Sequence, residues 1–195
     1  MHWACQDLPG EGWFHHREKW LALLEAYRPQ SVVELGTWKG ASAIAQARVV
    51  AQWGGHVTTI DHYAAGNAFH VTLANVAAAQ LPDGVLEVLC AHTCFAARTW
   101  HAPIDALYVD ADHTEEGVTN DLHAWWPHLR VGGLIGGDDY ENPTFPGVAR
   151  AWDWFEAETQ PFERHATSQA DLIEAARHAR RDRRRADAPH LGHQT

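Results

Sequence analysis

The chain has 195 residues, 46% hydrophobic and 21% charged, which is the balance of one soluble globular domain with a sizeable core. Its formal net charge of −10 is uneven: from Glu174 onward six arginines face three acids (Glu174, Asp182, Asp187), a surplus of three that leaves −13 for the rest. An acidic body disfavours nucleic acid as a partner, no apolar run reaches the ~18 residues of a membrane span, and three cysteines argue against a disulfide framework. With no basic-then-apolar leader at the start, the expectation is a cytoplasmic protein without membrane association.

Trp20, Leu23, Leu24 and Tyr27 recur at i, i+3, i+4 and i+7 and predict an amphipathic helix ending before Pro29. Residues 31–35 read as a buried strand closed by Gly36, and 41–53 as a helix stopped by Gly54-Gly55. "HVTTID" predicts a second strand, and the spacing of Phe69, Leu73, Val76 and Ala77 predicts a helix. "VLEVLC" is a third strand, 93–100 a short helix, and "IDALYVD" a fourth strand. Val118, Leu122, Trp125, Trp126 and Leu129 mark the next helical face; "RVGG" reads as a turn and "LIGGDDY" as a fifth strand. Val148, Ala151, Trp152 and Phe155 mark a helix after Pro146-Gly147. Five alternations of strand and helix predict the α/β class: a doubly wound, Rossmann-like, mostly parallel sheet with helices on both faces.

Ligands of such a sheet bind beyond the carboxyl ends of its strands. Four of those five ends carry acids: Glu34, Asp61, Asp110-x-Asp112-His113 and Asp138-Asp139. Carboxylates are poor strand formers, so propensity does not explain them, whereas a site does. The first loop reads E-x-G-x-x-x-G rather than the dinucleotide G-x-G-x-x-G, and Glu34 would repel a phosphate there. Gly36 and Gly40 would let the backbone approach a ligand, and Asp61 would accept hydrogen bonds from both ribose hydroxyls. The competing reading is a turn that merely packs helix on strand. A nucleoside without phosphates fits, and S-adenosylmethionine, with its positive sulfonium, is one.

"VVELGTWKGASA", "TTIDHY", "IDALYVDADHTEEGVTNDLHAWWPHLRVGGLIGGDDY" and "PGVARAW" together resemble the class I S-adenosylmethionine-dependent methyltransferases. More narrowly, they resemble small bacterial O-methyltransferases of sugar, polysaccharide and antibiotic pathways, over roughly residues 12–156. The resemblance implies Glu34, Gly36 and Gly40 in the cofactor loop, Asp61 on the ribose, and His92 or Thr93 near the adenine. It further implies a divalent ion held by Asp110, Asp138 and Asp139. Three converging carboxylates repel one another, and a hard cation such as Mg²⁺ would relieve that. Asp112 or His113 would then take a proton from the substrate hydroxyl, with Asp112 favoured as base and His113 assisting.

The expected function is therefore methyl transfer to a hydroxyl of a small molecule, a sugar or natural product. The alternatives are a hydroxylase-like or metal-independent N-methyltransferase relative, or a cofactor-binding scaffold impaired in catalysis. "CAHTC" offers only two thiols at a spacing unlike a zinc knuckle and is set aside. Relatives end in two further antiparallel strands, yet after Phe155 no alternating β-branched run is visible. Residues 170–181 read as helical, so the strand pair is expected to be missing or divergent. The division expected is a catalytic domain over 1–170 and a basic, partly helical or disordered tail over 171–195. A homodimer would then cover the sheet edge left exposed.

Overall fold

A computed structural model describes residues 17–64, 66–159, 162–167 and 172–176. Helix α1 (Arg17–Tyr27) leads into β1 (Ser31–Leu35), α2 (Ala41–Val50), β2 (His56–Asp61), α3 (Ala68–Ala78) and β3 (Leu86–Cys90). There follow α4 (Thr93–Thr99), β4 (Ile104–Val109), α5 (Glu115–Trp125), β5 (Leu129–Gly137), α6 (Pro146–Thr159), β6 (Phe162–Thr167) and β7 (Leu172–Ala176). The sheet order is β3-β2-β1-β4-β5-β7-β6, parallel from β3 to β5. The order reverses between β1 and β4, which is where an open sheet leaves a crevice at its carboxyl edge.

Alternation along the strands sorts the core into two layers. Val32, Val57, Ala106, Tyr108 and Leu134 point to α1 and α2, where Trp20, Leu21, Leu24, Ala47 and Val50 meet them. Val33, Leu35, Ile60, Leu107, Val109 and Ile135 point to α4, α5 and α6, against Leu122, Trp125, Trp152 and Phe155. The doubly wound parallel sheet is thus present as expected.

Two helical faces differ from their sequence patterns. In α1 the buried stripe is Trp20, Leu21 and Leu24, while Tyr27 is exposed. In α3 the buried residues are Ala68, Thr72 and Asn75, and Leu73 is 44% exposed. A polar face goes inward there because it has backbone to satisfy: Thr72 Oγ1 donates to the Trp38 carbonyl and Asn75 Nδ2 to the Lys39 carbonyl at 2.8 Å. The "RVGG" turn is absorbed into β5 as an irregularity, since Ile104 pairs with Leu129 and Ala106 only with Leu134.

The C-terminal strand pair expected to be missing is present. β7 runs antiparallel to β5, with Leu134 opposite Ala175 and Gly137 opposite Leu172, and β6 pairs with β7. Residues 172–176, expected to be helical, are a strand because the edge of β5 supplies a ladder that local propensity cannot reveal. The sheet therefore extends to Ala176, past the expected domain limit at 170, and residues 177–195 of the expected tail lie outside the described residues. With β7 on that edge, the reason for a homodimer there falls away. No helix among the described residues is long and apolar enough to cross a membrane.

Gly36 ties the two central strands together. It has φ +90°, and a Cβ built on it would lie 1.9 Å from the Asp110 carbonyl oxygen. Gly36→Ala is expected to cost about 3 kcal/mol or more in urea unfolding, through backbone strain and overlap together. Gly84, at φ +75° with no atom within 4 Å of its would-be Cβ, is the control; Gly84→Ala should cost only about 1–2 kcal/mol.

Candidate active site

Glu34, expected in the cofactor loop, lies beneath it. Alternation along β1 puts its side chain on the face of Val32, fully buried against α2. Gln46 Nε2 donates to Glu34 Oε1 at 2.8 Å and Thr59 Oγ1 approaches Oε2 at 2.6 Å. Trp20 Nε1 in turn donates to Gln46 Oε1 at 2.9 Å, and the Thr37 and Thr59 hydroxyls share a 2.6 Å hydrogen bond. Burial pushes the Glu34 carboxyl up to about 8 against the opposing hydrogen bonds of Ser42 and Thr59. Near neutrality it holds a proton, so its charge does not guard the loop against phosphate; it braces the loop from below.

The two glycines of the loop also serve the chain before any ligand. Gly36 makes room for Asp110 and Ala111, and a Cβ on Gly40 would stand 3.2 Å from Thr72 Cγ2. Asp61, at the end of β2, orders the loop: its Oδ2 accepts from Thr37 N at 3.0 Å and Trp38 N at 2.8 Å, and its Oδ1 from Tyr63 N at 2.7 Å. Three of its lone-pair positions are thereby taken, which leaves less capacity than two ribose hydroxyls would use.

Asp61 opens onto a cavity of about 460 Å³, within the range of small-ligand sites. His92 and Thr93 at the start of α4, and Asp112 and His113 after β4, share its wall. Glu34, Gly36, Gly40, Asp110, Asp138 and Asp139 do not line it. Sequence reading missed Asp121, a wall residue 2% exposed that sits in the apolar register of α5 with Val118, Leu122 and Trp125. An acid at a core position of a helix was the available signal.

At the ends of β4 and β5 the structure gathers Asp110, His113 and Asp139, whose ligand atoms all lie within 4.8 Å of one another. The expected third acid, Asp138, is not in that group: its Oδ1 accepts from the Asp139 amide at 2.8 Å. This turn lets Asp139, at φ +63°, face His113. His113 Nε2 is 2.7 Å from Asp139 Oδ2 and 3.4 Å from Asp110 Oδ1, and its ring packs on Phe145 with centroids 4.4 Å apart.

Hydrogen bonds to Asp110 and then Asp139 outweigh burial and raise His113 to about 10. Burial first, then Asp138 and Asp139, raise Asp110 to about 6 against the pull of His113. Burial would also raise Asp139, but the hydrogen bonds from His113 and Asn142 prevail and hold it below the usual carboxylate range. His113 thus occupies this arrangement as a cation between two acids. Asp112 lies apart and exposed, its Oδ1 accepting from Thr114 N at 2.8 Å.

Comparison with known proteins bears on this geometry. The family described as "Methyltransferase domain" matches residues 33–140. An O-methyltransferase from Bacillus cereus, solved in complex with S-adenosylhomocysteine, superposes with a TM-score of 0.68 at 20% identity, over 87% of this chain and 84% of that one. The O-methyltransferase TomG from Streptomyces achromogenes, involved in tomaymycin synthesis and solved with S-adenosylmethionine, gives 0.66 at 17% identity, over 87% and 83%.

The buried acid makes stability depend on pH with a definite sign. Between pH ~4.5 and ~8 the folded chain keeps the Glu34 proton that the unfolded chain has lost, so this group lowers stability as pH rises. Glu34→Gln reproduces the protonated pattern without titrating. Urea unfolding is expected to show the variant gaining on the wild type between about pH 5 and 8, by up to ~1.4 kcal/mol per pH unit. A gap that does not change with pH would refute the assignment.

Proposed function

The chain belongs to the methyltransferase-domain family and has the class I fold, and from that premise we propose that it carries a methyl group from S-adenosylmethionine to a hydroxyl of a small molecule. The observation that carries this reading is the continuous cavity running from Asp61 to Asp112 and His113. Asp61 meets the ribose, and the positive sulfonium lies toward the acids at the ends of β4 and β5. The structural neighbours named as O-methyltransferases support oxygen as the acceptor, and TomG's part in tomaymycin synthesis supports a natural product. A sugar rests on the sequence resemblance alone.

In the transfer, the substrate oxygen forms a bond to the methyl carbon as the sulfur–carbon bond breaks, leaving neutral S-adenosylhomocysteine. Such an in-line displacement is governed by positioning. The hydroxyl proton goes to Asp112, because His113 Nε2 is engaged between Asp110 and Asp139. His113 positions Asp110 and Asp139, and Phe145 holds the imidazole ring in place.

Asp110, His113 and Asp139 would hold a divalent ion once His113 gives up its proton to present a lone pair; two carboxylate oxygens and one imidazole nitrogen fit one, with less preference for Mg²⁺ than three carboxylates would have. Bound there, the ion would lower the pKa of the substrate hydroxyl and orient it.

S-adenosylhomocysteine is expected to raise the melting temperature of the purified protein by several degrees. Asp61→Ala should abolish that rise, since it removes both the ribose acceptor and the clamp on Thr37 and Trp38; no rise with the wild type would overturn the cofactor assignment. Turnover, followed as the gain of one methyl mass on a hydroxylated acceptor, is expected to disappear in excess EDTA and in Asp139→Ala. Full activity in the chelator would show that no metal takes part.

A further inference from the structure

The cavity wall contains a buried acid to which methyl transfer assigns no task. Asp121 sits on α5 where that helix packs against α4, with 2% of its surface exposed. Its Oδ1 accepts from the hydroxyl of Thr93 and, at 3.5 Å, from the thiol of Cys94, both in the first turn of α4. Trp125 Nε1, one turn further along α5, donates to the Thr93 carbonyl at 3.2 Å and fixes the same turn of α4. The carboxyl is therefore held in one orientation in the cleft between α4 and α5. Among the described residues no donor meets its second oxygen. That oxygen is not among the sealed, unpartnered polar atoms of the described residues, and Asp121 lines the cavity, where a ligand can supply an N–H.

Which part of the ligand reaches it follows from the ends already placed, so the inference rests on the cofactor reading above. The ribose lies at Asp61 and the methyl end must face Asp112 and His113, where the acceptor is activated. The base is left the cleft walled by His92, Thr93 and Asp121. An adenine joined to ribose carries N–H donors only on its 6-amino group; its ring nitrogens are acceptors. A carboxylate oxygen can pair with that edge and is repelled by a 6-oxo group in the same place. We propose that Asp121 selects adenine, its free carboxylate oxygen accepting a hydrogen bond from the 6-amino group.

Calorimetric titration of S-adenosylhomocysteine and S-inosylhomocysteine into the wild type and Asp121→Asn tests this. The wild type is expected to bind the adenine compound at least ~30-fold more tightly. In Asp121→Asn, whose amide can donate to a 6-oxo group, the ratio should fall to within about threefold. A purely structural role would weaken both compounds alike and leave the ratio unchanged, which would overturn the proposal. Should the variant not fold, the wild type alone decides with the analogue unsubstituted at position 6. That compound lacks the N–H and is expected to bind about tenfold more weakly; equal binding overturns the proposal. A wild type that binds none of the three defeats the cofactor reading and this inference together. Tight binding of S-adenosylhomocysteine with no discrimination defeats only the inference.

Discussion

A carboxyl group sealed in an apolar layer is the constraint around which the upper half of the sheet is arranged. Glu34 is wholly buried, and an acid so placed must be satisfied by hydrogen bonds or shed its charge. Here it does both, and the groups that satisfy it come from separate elements: Gln46 from α2 and Thr59 from β2. Those groups have obligations of their own. Gln46 is held by Trp20 of α1, and Thr59 shares its hydroxyl with Thr37 of the loop. The loop amides then close onto Asp61. One chain of hydrogen bonds thus runs from the first helix, beneath the sheet edge, to the ligand side of the loop. A break anywhere in it leaves a buried polar group unpaired, at a cost of order 1–3 kcal/mol.

The opposite half of the rim solves the same electrostatic problem with a charge instead of a proton. Asp110 and Asp139 face each other across β4 and β5, and His113 stands between them as an imidazolium. Asn142 adds a hydrogen bond to Asp139 and Phe145 covers the ring. Asp61, by contrast, accepts from three backbone amides, with His62 Nδ1 3.8 Å from its Oδ1. The cavity therefore runs from an amide-bound carboxylate at Asp61 to His113, behind which Asp110 and Asp139 stand.

Much of the fold was legible because strand and helix periods alternate cleanly through Phe155, and acids at strand ends stand out against propensity. What escaped had physical causes of other kinds. Glu34 was placed in the loop because a motif gives sequence spacing and not the face of a strand. The inward face of α3 was misread because Thr72 and Asn75 are buried for the sake of the Trp38 and Lys39 carbonyls, which lie over thirty residues away. β7 was missed because Leu172–Ala176 has no strand signature and gains its conformation from the ladder along β5. His113 stands beside Asp110 and Asp139 where Asp138 was expected, because a left-handed turn at Asp139 decides which side chain faces that group, and no residue type announces such a turn.

The contact between Gly36 and Asp110 has a mechanical consequence. The loop at Gly36 and the strand bearing the acids abut with no room for even one carbon atom, and Asp110 N also donates to the Leu35 carbonyl at 2.8 Å. They form a single jaw with no hinge within it. The facing jaw is β3 and α4, where an edge strand with one neighbour shows part of every side chain to solvent. The spacing between the loop and the acids is thus set by backbone against backbone rather than by side chains that could repack.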